Sequence, residues 1–375
     1  METISSQNKI SGRQSNIELL RIISMILIIL FHFSTYVDFG FPTSSISLNR
    51  LWVQFLYSGG RIGVNLFVMI SGYFLITSQR FKTEKALKLW TQVFTYSVLA
   101  FAAFVVFGGE AFGVKKLIKA VLPMTYQEWW FASAYFILYL FSPFINKLLT
   151  GFDRKTYQKF LALAFVLWSV IPTFTNTPFL CNQFIWFVFV YSVAGYIRLH
   201  FNSRDDSAGG GRYLLLSAAA YAVSFLSVIA LDLIGIKIPT LGEHATYFFA
   251  MQRVPSIIVS TFLFIGFTRI RIKNSRVINT LASSVFGVYL IHENPYVRVF
   301  IWTKVFGGAS GLAGSKLLVA YSLGVAFAIF VFCAAIELLR INTLERFCSK
   351  LLGKISDKIV EKTERIFSGR FFEKT

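Results

Sequence analysis

The sequence predicts an all-α fold: a polytopic membrane bundle of about ten transmembrane helices, with both termini on the inner side. Three observations carry this. Of the 375 residues 55% are hydrophobic, Phe alone occurs 42 times, and the mean hydropathy is +0.61. Only 15% are charged, against ~25% in soluble domains. The apolar residues also fall in long runs, each near the ~17–25 residues that a tilted span needs.

The runs lie at about 17–37, 60–78, 88–107, 129–149, 157–175, 182–199, 213–235, 247–268, 277–299 and 315–338. The first lacks a small-residue cleavage site and is followed by further spans, so it reads as a span and not a leader. The second carries Gly59, Gly60, Gly63, Ser71 and Gly72, which permit close helix approach. After the third, "GVKKLIKAVLP" (113–123) has the character of an amphipathic helix on the outer surface. The fourth opens on Trp129 and Trp130, as an interfacial aromatic belt would. Between the sixth and seventh, "NSRDDSAGGGR" (202–212) reads as a flexible linker. Residues 1–340 thus form the membrane domain, and 341–375 a cytoplasmic basic tail. That tail is too short for a globular unit and suits an amphipathic helix against anionic lipid.

A net charge of +19 invites a nucleic-acid partner. The distribution argues against one. Most of the 37 Lys and Arg fall in the termini and the short connections on one side of the predicted membrane. The positive-inside rule accounts for that pattern and puts both termini inside. The three cysteines, Cys181, Cys333 and Cys348, have neither disulfide-framework nor metal-ligand spacing, and no metal is expected.

The apolar runs keep a few ionisable residues, which are costly in hydrocarbon and mark functional sites. In the first run, Arg21 and His32 are eleven residues apart. At ~100° and ~1.5 Å per residue, both project from one helix face, about 16.5 Å apart along the axis. Glu18 precedes Arg21 by three residues and can pair with it. His292 sits at a count into the ninth run similar to that of His32 in the first, so the two rings share a depth in the outer half. Arg61, at the outer mouth of the second run, can snorkel to headgroups or face a ligand. Trp130 can serve the belt or wall a binding site. With Glu18, Ser71 and Glu293, these two complete a set of candidate substrate-binding groups.

Together these stretches resemble the membrane-bound acyltransferase-3 family. Glu18, Arg21 and His32 match the acidic–Arg–His pattern of the family's first span. Gly63 to Tyr73 match its "G-V-x-L-F-F-x-x-S-G-Y/F" stretch, with Val68 for the second Phe and Asn65 where many members have Asp. Trp130, Phe131, Leu138 to Leu140, Ser142 and Pro143 match its fourth span, with Glu128 where many members have His. Ser284 to His292 match its ninth, with Val285 inserted. The resemblance covers about residues 15–340. It implies a bacterial cytoplasmic-membrane enzyme that takes an acetyl group from acetyl-CoA, as a substrate and not a bound cofactor. The acceptor would be a hydroxyl of a surface polysaccharide or its lipid-linked precursor. On that reading Arg21 holds donor phosphates and His32 is the general base or, alternatively, carries the acyl group. His292 and Arg61 then orient the acceptor or stabilise the oxyanion, and Trp130 stacks on a sugar. The rival is a glycan-precursor exporter that uses the same residues to bind an anionic lipid-linked sugar.

Overall fold

The computed structural model describes residues 13–78, 81–201, 209–346, 353–355 and 357–358. Its helices are α1 (Ser15–Tyr36), α2 (Leu48–Leu75), α3 (Thr83–Val106), α4 (Val114–Val121), α5 (Trp130–Thr150), α6 (Arg154–Phe165) and α7 (Ile171–Thr175). There follow α8 (Gln183–His200), α9 (Gly210–Gly235), α10 (Pro239–Glu243), α11 (Val254–Arg269), α12 (Arg276–His292), α13 (Pro295–Val299) and α14 (Leu318–Arg340). A π-helical turn, Val166–Val170, joins α6 to α7. There is no β-strand among the described residues.

Short polar side chains start several of these helices by accepting an orphan backbone N–H. Ser47 accepts from Arg50, Asp153 from Thr156, Asn182 from Ile185 and Ser275 from Ile278. Eight helical segments are long and apolar enough to cross a membrane. The other two expected spans are α8 and α12, of 18 and 17 residues. At ~1.5 Å per residue they measure about 27 and 26 Å, short of a ~30 Å hydrocarbon core.

Three boundaries differ from the sequence expectation. α2 begins twelve residues before position 60, because Gly59 and Gly60 lie inside a continuous helix. Arg61 therefore sits midway along α2, not at a mouth. The eighth run opens on a 3-10 turn, Tyr247–Phe249, and is α-helical only from Val254, which Pro255 follows at the helix start. The ninth run stops at His292. Pro295 holds Asn294 extended, and the Asn294 side chain then caps α13. In the expected linker, residues 202–208 lie outside the described residues, while Gly210 to Arg212 are helical. Most of the expected basic tail also lies outside them. α4 forms as expected, with only Ala120 buried.

α1 and α2 form the central pair, and α2 also packs on α8 and α11. Two glycines set these distances. A Cβ on Gly63 would lie 2.6 Å from the Ser24 carbonyl of α1, and one on Gly72 would lie 2.8 Å from the Tyr191 carbonyl of α8. Asn65, fully buried between them, donates to the Met251 carbonyl and accepts from Trp186 Nε1. α1 and α12 run parallel. Ser15 meets Asn279 at one end, and His32 meets His292 at the other. Two buried charged pairs tie the periphery, Arg50–Asp232 at 2.7 Å and Arg340–Glu337 at 2.8 Å. Glu337 also accepts from Tyr96 and Gln92 of α3.

Candidate active site

Parallel packing of α1 and α12 brings His32 and His292 together. His32 Nδ1 lies 3.0 Å from His292 Nε2. His292 is fully buried, and its Nδ1 is 2.6 Å from the Val288 carbonyl one turn back. A carbonyl only accepts, so His292 Nδ1 carries a hydrogen. With His292 neutral, its Nε2 is an acceptor and His32 Nδ1 must donate to it. The His32 Nε2 lone pair is then free, and no hydrogen bond engages it among the described residues. The network thus assigns one tautomer, with its basic nitrogen free for substrate.

Glu293 lies on the donating side of that ring. Its Oε1 is 3.4 Å from His32 Nδ1, buried and without a hydrogen bond of its own among the described residues. Its Oε2 is held by the Tyr36 hydroxyl and Arg298, each at 3.4 Å. Tyr36, one turn beyond His32, also stacks on the His32 ring, and Arg298 lies over Tyr36. A carboxylate there stabilises positive charge on His32 after it takes a proton. His32, His292 and Glu293 offer ligand atoms within 4.8 Å of one another, a composition that a metal ion could also use. The hydrogen bond between the imidazoles accounts for the closeness of the two histidines.

These groups border a cavity of about 200 Å³ lined by His32, Tyr36, Arg61, Trp130, Glu293 and Arg298, among others. Arg61 stacks over Phe31 at 4.8 Å and has no carboxylate partner among the described residues. It can therefore meet developing negative charge. Trp130 is a wall of the cavity, besides starting α5. Its neighbour Glu128 pairs with Lys119 of α4 at 3.1 Å.

Arg21 and Glu18 lie elsewhere, in a second cavity of about 290 Å³. Arg13, Lys85 and Lys88 line it too, so its rim is strongly basic. Arg21 Nε donates to Glu18 Oε2 at 3.0 Å. Ser71 borders neither cavity. Its hydroxyl donates to the Phe67 carbonyl and meets the Tyr135 hydroxyl, so it holds the wall from behind.

Among the members of the two cavities that escape sequence reasoning are Arg13, Lys85, Lys88, Tyr36 and Arg298. Arg13, Lys85 and Lys88 register in the sequence only as topology charges. A signal for Tyr36 was present, since it lies one helical turn from His32. None was present for Arg298, because the break at Asn294 folds it back on Glu293.

No curated protein and no solved structure matches the chain. The family model described as an acyltransferase domain matches residues 14–338. That match covers every helix from α1 to α13 and nearly all of α14, with all of the residues that line the two cavities except Arg13. The protein is a membrane acyltransferase, and the chain belongs to the acyltransferase-3 family.

Proposed function

We propose that the protein moves an acetyl or other short acyl group from cytoplasmic acyl-CoA to a hydroxyl of a surface polysaccharide or its lipid-linked precursor. The membrane would be the bacterial cytoplasmic membrane, with the Arg21 cavity facing the cytoplasm. One observation carries the reading: a basic cavity and a histidine cavity lie at two levels of one face of α1. Phosphates suit the first, through charge-assisted pairs with Arg21, Lys85 and Lys88. Bond-making suits the second.

The acceptor O–H meets His32 Nε2, which takes its proton as the oxygen attacks the thioester carbonyl. The new cation is met by Glu293, and His292 holds the ring in the tautomer required. Arg61 faces the carbonyl oxygen as charge gathers on it. The C–S bond then breaks, the CoA thiolate leaves, and imidazolium returns the proton to sulfur. The products are an ester and free CoA, and His32 regains its starting state.

The test uses purified protein in vesicles, labelled acetyl-CoA and de-O-acetylated envelope glycan. His32→Ala should lower transfer by ~10²–10⁴-fold, the usual worth of a positioned base, with insertion and expression unchanged. Wild-type transfer by that variant would remove His32 from the chemistry.

A further inference from the structure

The two cavities have one lining residue in common. Phe67 of α2, 4% exposed, borders both the basic cavity and the histidine cavity. It belongs to a larger aromatic wall. On α5, Phe131 lines the histidine cavity and Tyr135, one turn on, lines the basic one. Their rings stack at 6.0 Å and 7°. On α12, Tyr289 and Phe286 divide in the same way, 6.3 Å apart. Phe131 meets Phe67 at 5.6 Å and Tyr289 at 5.4 Å, and Tyr135 meets Phe286 at 6.3 Å. Five rings from three helices therefore close the bundle between the two cavities.

The five rings are not equally held. Phe131 is wedged among Phe67, Trp130, Tyr135, Phe187 and Tyr289. Tyr135 has its hydroxyl bonded to Ser71. Phe286 and Tyr289 brace each other and one ring each on α5. Among the described residues, Phe67 packs its ring against one other, that of Phe131, and against the Arg21 guanidinium, 5.6 Å from its centroid. Of the five it makes the fewest ring contacts.

We infer that Phe67 is the specificity residue for the donor: the thioester arm reaches His32 by displacing its ring, and the ring's bulk sets the acyl length that passes. This rests on the acyltransferase reading above. The phosphates cannot follow into the apolar wall, so only the slim arm crosses. Arg21 couples the two ends. A phosphate that engages the guanidinium draws it from the Phe67 face and frees the ring as donor arrives.

The test compares wild type, Phe67→Ala and Phe67→Trp in vesicles, with acetyl-, butyryl- and hexanoyl-CoA. Phe67→Ala should raise the hexanoyl-to-acetyl ratio of kcat/KM by at least ~ten-fold, a factor that one or two methylenes can command. Phe67→Trp should lower acetyl-CoA kcat/KM by a similar factor while CoA binding, read by calorimetry, stays within about two-fold. An unchanged chain-length profile in both variants overturns the inference. A second readout needs no transfer: vesicles loaded with a pH dye should leak protons faster with Phe67→Ala than with wild type or Phe67→Trp. No added leak also overturns it. Absence of transfer from every donor by wild type would instead sink the acyltransferase reading, with the leak still judging the wall.

Discussion

At the scale of the residue, the direction of one hydrogen bond decides what the imidazole pair can do. The Val288 carbonyl fixes the His292 proton, His292 fixes that of His32, and the free lone pair points away from both. Arg21 is decided as tightly. Its Nε is committed to Glu18, which leaves the other guanidinium nitrogens for a phosphate. Lysine's ammonium is a point charge without the planar fork, and it holds the two partners less well. Arg21→Lys should therefore raise the acetyl-CoA KM about ten-fold with kcat little changed, measured by initial rates. An unchanged KM would remove Arg21 from donor binding. Arg21 and His32 were legible because an eleven-residue spacing puts them on one helix face. The equal depth of His32 and His292 followed from counting along two spans of one direction. Asn65 was legible only as a departure from Asp. Its two bonds explain the amide, since a carboxylate could accept from Trp186 but could not donate to the Met251 carbonyl.

At the scale of the element, the α1–α2 pair is the frame on which the site hangs. Gly63 lets the Ser24 carbonyl approach to where no side chain fits. Neither helix can give way locally, because the meeting point is backbone. Gly63→Leu should push α1 off α2, cost about 1–3 kcal/mol as overpacking does, and lower the thermal midpoint in detergent by several degrees. Transfer should fall as well, since a shift of ~1 Å at His32 can cost ~10²-fold. An unchanged midpoint would mean that the helices have slack. Gly63 reads as a packing residue from sequence alone, but the helix start at Leu48 does not. Hydropathy marks the apolar stretch, while the Ser47 cap begins the helix well before it. This is why Arg61 reads as a residue of the mouth and lies in the middle of α2.

At the scale of the molecule, charge asymmetry and cavity placement make the same claim about sidedness. If the basic cavity takes the cytoplasmic donor proposed above, the Arg21 end must face the cytoplasm, as the positive-inside count also requires. Cysteine labelling with an impermeant maleimide tests this in a Cys348→Ser background, because the native Cys181 and Cys333 are buried. Asp38→Cys should react in intact cells, and Arg271→Cys only after permeabilisation. The reverse pattern would put the donor cavity on the wrong side. The polytopic fold was fully legible, since ten runs of span length leave few alternatives. The division into two cavities was not. It depends on which rings of α2, α5 and α12 meet, and in a chain this rich in Phe the sequence offers too many candidates.

The break after His292 has a cost that the rest of the bundle avoids. A helix that ends at this depth leaves carbonyls without intrahelical partners, and hydrocarbon would penalise each by several kcal/mol. Such a stretch persists only where protein or water covers it, and here protein does: Glu293 and Asn294 are 6% and 2% exposed, and the Tyr289 and Ile291 carbonyls accept the N–H groups of the turn itself. In the reaction proposed above, a base able to deprotonate an acceptor hydroxyl could deprotonate water as well, so a covered turn favours the acceptor. Under that proposal, the protein's economy in donor rests on how tightly the turn after His292 stays closed.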